Sequence, residues 1–212
     1  MLSQDQSERF ERAVTRALVI ARTRTRVTGG PYVAHLFAVC AIVLDNGGTE
    51  DEAIAALLHD VPPADFGRDV ARIARGCSDP AGAPGDGAWY DRTAAYVERV
   101  RALGDGDDAV RFVGAAIELD RARALSDRLA LDATAFACLP GKKFGTLWAF
   151  RALVDAYGAY DGRHARFIAE VRALVDEMAG KPVTTLELLA AFLVDDTVPE
   201  GDKGALRANV SA

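Results

Sequence analysis

The sequence contains only three histidines. Two of them, His35 and His59, fall in apolar stretches, and Asp60 directly follows the second. A neutral imidazole offers one ring-nitrogen lone pair, and a carboxylate offers its oxygens. Such a mixed set suits Mn²⁺, Fe²⁺, Co²⁺ or Zn²⁺ more than Ca²⁺, with Mg²⁺ a further candidate. A cation held there would acidify a water for attack on phosphorus. The same histidines would also serve as hydrogen-bonded core residues of apolar helices. Spacing alone leaves both readings open.

The elements that must bring these residues together are helices. Phe10, Val14, Leu18 and Ala21 recur at helical spacing between Ser7 and Arg22. A basic, glycine-containing turn, RTRTRVTGGP, follows. The next helix is predicted from Tyr32 to Asp45, with Leu36, Phe37, Cys40, Val43 and Leu44 inward, and Asn46-Gly47-Gly48 stops it. Thr49 and Glu52 have the form of a capping box, so a third helix starts there and ends near His59-Asp60, before Pro62 and Pro63. Two helices joined by a short loop pack antiparallel, which carries the start of the first towards the end of the second. Further helices are predicted near 66–76, 88–103, 108–130, 145–159, 162–179 and 184–193. Residues 78–87 read as a loop, placed to cover a pocket mouth. The expectation is an all-α bundle of eight to nine helices over 1–196, with a polar, frayed tail at 197–212. The apolar last helix would serve either to cover the core or to form a dimer.

Half of the 212 residues are hydrophobic, enough for one buried core. The formal net charge of −6 argues against a nucleic-acid polymer as partner, since such binders carry a basic face. It does not argue against a small phosphorylated molecule, which needs only a local basic pocket. Cys40, Cys77 and Cys138 are far apart, odd in number and set among apolar residues, so they read as buried free thiols of a cytoplasmic protein. The polar start, MLSQDQSERFER, is unlike a signal peptide, and no apolar run approaches a membrane span, so no membrane partner is expected.

The stretch PYVAHLFAVCAIVLDNGG followed by EDEAIAALLHD resembles the HD-domain metal-dependent phosphohydrolases. It is most similar to their small guanosine tetraphosphate hydrolase-like members. In those, Pro-Tyr-x-x-His opens the second helix and Ala-Leu-Leu-His-Asp closes the third. GTLWAFRALVDAY, at 145–157, resembles a later helix of the same group. The match is dense over 20–75 and 141–157. In the family two His and two Asp bind one divalent metal, so the resemblance puts His35, His59 and Asp60 in three of those places. The fourth Asp comes from a later helix that corresponds to GAAIELDRARALSD, at 114–127. Direct alignment sets Ala116 or Ile117 there, and neither can ligate. Glu118 or Asp120 would substitute if the helix is shifted. Asp120, nearly one turn after Ile117, is taken as the fourth ligand. Arg24 and Arg26 match basic residues near the family's substrate, and guanidinium binds phosphate in bidentate fashion. Lys142 and Lys143 are weaker candidates for the same task. Trp148 and Tyr157 read as core, and His164 as structural or exposed.

The chain also departs from the family. Acids that usually follow His-Asp are replaced by Val61-Pro62-Pro63, and proline can neither ligate nor act as a base. Asp65 is near but displaced, and Ile20 stands where the first helix often carries a histidine. Two functions are therefore in view. One is a metal-dependent phosphohydrolase acting on a nucleotide or small phosphoester, with His59 and Asp60 at its catalytic centre. The other is a degenerate domain that binds a ligand or partner without hydrolysis. A di-iron site on the same fold would need more histidines than His164 can add.

Overall fold

The computed structural model describes residues 4–26, 28–60, 64–78 and 88–204. The expected features at Val61-Pro62-Pro63, at the loop after Ser78 and at the last eight residues lie outside these. Among the described residues there is no strand beyond a single Thr25–Pro31 bridge. The helices are α1 (Gln4–Ala21), α2 (Tyr32–Asp45), α3 (Glu50–Leu58), α4 (Arg68–Cys77), α5 (Trp89–Arg101), α6 (Asp108–Leu131), α7 (Lys142–Tyr157), α8 (Ala165–Ala179), α9 (Thr185–Leu193) and α10 (Glu200–Lys203). None of them is long and apolar enough to cross a membrane. The chain is all-α, as its periodicity requires.

The hairpin of α2 and α3 forms because both of its inner ends are chemically specified. Gly47, at φ 76°, takes the left-handed conformation that ends α2. Its N–H reaches Leu44 O and the N–H of Gly48 reaches Val43 O, the paired bonds of a Schellman stop. Thr49 and Glu52 then make the expected capping box: Thr49 N donates to Glu52 Oε2 (2.7 Å) and Glu52 N to Thr49 Oγ1. Glu52 also accepts a two-pronged bond from Arg163, which ties the start of α3 to the turn before α8. Every residue of α3 from Glu52 to Leu58 is buried.

Helix α6 is the axle. It touches α2, α3, α4, α7 and α8, and its residues Val110 to Asp120 are buried without a break. A helix surrounded in this way shows no single apolar stripe. Where α6 crosses α7, a side chain on Gly114 would place its Cβ 2.2 Å from Tyr157 Oη. Tyr157 is fully buried and its hydroxyl is also 3.0 Å from Tyr96 Oη. Gly114→Ala is therefore expected to destabilise the protein by about 1–3 kcal/mol through overpacking. Elsewhere in a helix the same change gains up to about 1 kcal/mol, so the sign of the shift in urea unfolding tests this contact.

Two apolar assignments differ from the expected ones. Phe37 and Leu44 on α2 are exposed, while His35, Leu36, Val39, Cys40 and Val43 face inward. Helix α2 is apolar nearly all round, so periodicity alone could not select its inner face. On α1 the core side is Ala13, Ala17 and Ala21, and Leu18 is 44% exposed. Small residues let α1 approach α3 closely, which turns Leu18 outward. Cys40 and Cys77 are buried as expected, and burial pushes their thiols up to about 11 and about 12. Cys138, also read as buried, is instead exposed, because it lies in a short 3₁₀ turn outside the packed helices.

The tail at 197–212, read as frayed, folds back in its first part. Val198 and Lys203 are buried, and Lys203 Nζ donates to Leu193 O (3.0 Å). The lysine supplies one of the carbonyl partners that the end of α9 lacks. Helix α9 itself covers the core: Leu188 and Phe192 are buried and the helix packs on α7.

Candidate metal centre

The basic turn between α1 and α2 is held by its own backbone. Arg26 N donates to Gly30 O, Gly29 N to Arg26 O, and Tyr32 N to Arg24 O. Gly29 and Gly30 both have positive φ (89° and 86°), which this tight reversal requires. The turn places Arg24, Arg26 and Tyr32 at the open end of the α2–α3 hairpin. His35 lies one turn into α2, and His59 is the cap residue that ends α3.

Four residues singled out from the sequence stand in one chain of contacts. Asp120 Oδ2 is 2.6 Å from His35 Nδ1, His35 Nε2 is 3.3 Å from His59 Nε2, and His59 Nε2 is 3.6 Å from Asp60 Oδ1. His59 Nδ1 is 2.8 Å from Ala56 O. Both histidines are buried. Burial first, then the neighbouring His35, pushes His59 down to about 3. Burial also lowers His35, against the opposing pull of its bond to Asp120. Both rings are therefore neutral at pH 7.

Neutral rings have one N–H each, and their partners decide where it sits. Ala56 O and the Asp120 carboxylate can only accept, so Nδ1 is the donor in both histidines. The two Nε2 atoms then face each other with lone pairs. Two lone pairs at 3.3 Å repel unless a proton or a cation lies between them. A backbone carbonyl and a carboxylate behind the rings are the outer partners that orient metal-binding imidazoles.

The acidic residues are each engaged. Asp60 accepts from Tyr32 Oη and from Arg24 (3.4 Å). Asp120 pairs with Arg26 at 3.2 Å as well as with His35. Among the described residues no three His, Cys, Asp or Glu side chains already stand as a coordination cage. The donor types nonetheless fit a divalent cation: two neutral imidazole nitrogens and the Asp60 carboxylate on the Nε2 side, with Asp120 behind His35 as its outer partner.

The other candidates separate clearly. Glu118, the alternative to Asp120, turns instead to Arg121 (3.1 Å). Ala116 and Ile117 are core. Asp65 is exposed and pairs with Arg16. Lys142 donates to Ala137 O, and His164 is fully buried with Nε2 3.0 Å from Tyr157 O. Trp148 and Tyr157 are core. Tyr32 is the site residue to which sequence reasoning gave no role. Its position in PYxxH, one turn before His35, was the available signal.

A family model described as "HD domain" matches residues 13–138, which include all four of these residues and both arginines. No curated protein matches the chain. Among solved structures, a metazoan ortholog of SpoT that hydrolyses ppGpp superposes with a TM-score of 0.59 at 19% identity. The alignment covers 82% of this chain and 96% of that one. At that identity the likeness is one of fold. From its matched region, its helical architecture and the residues at its centre, the chain belongs to the HD domain family.

Proposed function

We propose that the protein is a metal-dependent phosphohydrolase acting on a nucleotide or another small phosphoester. The observation that carries this is the pair of buried, neutral histidines whose Nε2 lone pairs converge, with Asp60 and Asp120 at the two ends. His35, His59 and Asp60 would hold the cation, in keeping with Mn²⁺, Fe²⁺, Co²⁺, Zn²⁺ or Mg²⁺, with Asp120 orienting His35 from behind its ring. When bound, a divalent cation acidifies water and withdraws charge from a phosphoryl oxygen.

The chain's own residues do the rest. Tyr32 and Arg24 hold the Asp60 carboxylate from the outer side. Arg26 reaches Asp120 through Nη2 only, and its buried Nε has no partner. The partly exposed guanidinium is a planar donor group of the kind that suits phosphate. Beyond this turn lies a surface cleft of about 500 Å³, lined by Thr28, Gly29, Arg128, Thr134 and Cys138. None of His35, His59, Asp60, Asp120, Arg24 and Arg26 lines it.

Arg26→Ala is expected to lower kcat/KM for phosphate release by about 10- to 100-fold, the worth of a charge-assisted hydrogen bond. Arg26→Lys should restore little, because an ammonium lacks the fork. The reaction itself is tested by a phosphate-release screen over nucleotides with added Mn²⁺. Turnover that chelator abolishes supports the proposal.

A second reading has one specific observation in its favour. Where the family carries acids after His-Asp this chain has prolines, and the nearby Asp65 faces solvent beside Arg16. A screen without turnover, from protein that still binds Mn²⁺ and a nucleotide, would favour a binding module without hydrolysis.

A further inference from the structure

His59 ends α3, and its carbonyl oxygen needs a donor. In a continuing α-helix that donor would be the N–H of residue 63, and in a tighter 3₁₀ turn the N–H of residue 62. Both are proline and have no N–H. His59 is 1% exposed, so its carbonyl is expected to find a protein partner.

The partner comes from another helix. Ser78, the residue that caps α4, donates through its hydroxyl to His59 O and also faces Ala74 O at 2.7 Å, one proton shared by two carbonyls. Ser78 is itself held from α5. Arg99 Nη2 donates to Ser78 O, and its guanidinium lies 4.8 Å over the Tyr96 ring. Tyr96 Oη donates to Cys77 O (3.0 Å), so the last carbonyls of α4 are fixed side by side.

We propose that Ser78 is a positioning residue for the His59–Asp60 pair, replacing the local donors that Pro62 and Pro63 remove, and that it thereby sets the cation affinity of the centre. The peptide it grips joins His59 to Asp60. Holding that carbonyl fixes the direction in which both side chains leave the backbone. The inference rests on the metal reading above and goes beyond it, because it assigns the site's rigidity to a residue outside the site.

The test is Mn²⁺ titration of the full, chelator-stripped chain, with free Mn²⁺ read by electron paramagnetic resonance and folding checked by circular dichroism. Ser78→Ala is expected to weaken Mn²⁺ binding about 10- to 100-fold, the usual cost of losing an outer partner. Ser78→Thr keeps the hydroxyl and should bind like the natural protein. A purely structural serine would leave Mn²⁺ affinity unchanged in a folded Ser78→Ala protein. Wild-type affinity in Ser78→Ala, or a Ser78→Thr protein that binds as weakly as Ser78→Ala, overturns the role of Ser78 and leaves the metal centre standing. If Ser78→Ala does not fold, Arg99→Ala loosens Ser78 without touching His59. Weakened binding there supports the proposal, and unchanged binding overturns it. A natural protein that binds no Mn²⁺ overturns the metal reading and this inference together.

Discussion

Truncating His59 to alanine is expected to lower divalent-cation affinity by at least about 100-fold, more than the loss of an outer partner costs. Phosphate release should fall below detection with it. His59 is the hinge of the arrangement, because its Nε2 faces both His35 Nε2 and Asp60 Oδ1. Without it, His35 and Asp60 no longer share a neighbour. The fold should survive, since α3 keeps its Thr49–Glu52 capping box and its buried residues Ala53 to Leu58. Calorimetric titration with Mn²⁺, alongside a far-ultraviolet spectrum, separates the two effects. Retained affinity in a folded His59→Ala protein would contradict the assignment.

The second large effect concerns pH. In cation-free protein, burial holds His59 at about 3 and lowers His35, whereas both have ordinary values of 6.5 when unfolded. Below pH 6.5 the unfolded chain therefore takes up protons that the folded chain refuses. Stability is full above the unfolded value and is lost as pH falls towards the folded one. His59 contributes a slope approaching about 1.4 kcal/mol per pH unit in that window, and His35 adds to it in the same direction. Urea unfolding in EDTA at pH 7, 6 and 5 should show this loss before ordinary carboxylates begin to titrate. A flat profile would mean that the histidines titrate alike in the folded and unfolded chains, and stability that rises as pH falls would mean that they are already charged in the folded protein.

The sequence made the hairpin legible because its signals are local. The Thr49–Glu52 box, the Asn46-Gly47-Gly48 stop and the PYxxH and ALLHD strings each act within a few residues, and each formed as read. The inward faces of α1 and α2 were less legible. On an apolar helix several stripes qualify, and packing alone chose Val39 over Phe37 and Ala17 over Leu18. Direct alignment on α6 pointed to Ala116 or Ile117. Only the path of α6 past α2 puts Asp120 against His35, and that depends on tertiary packing. Ser78 had no sequence signal, since its partner is nineteen residues away on another helix. The polar residues around Lys203 read as tail, because a buried ammonium is recognisable only once the carbonyl of Leu193 is in place.

We propose that His35, His59 and Asp60 hold a divalent cation, with Asp120 orienting His35 from behind its ring. This assignment is tested most directly by elemental analysis of protein purified without chelator. About one divalent cation per chain is expected, as a single mononuclear site of this donor type requires, and it should be lost from His59→Ala. Protein that carries no such cation, and takes up neither Mn²⁺ nor Zn²⁺ when they are offered, would contradict it.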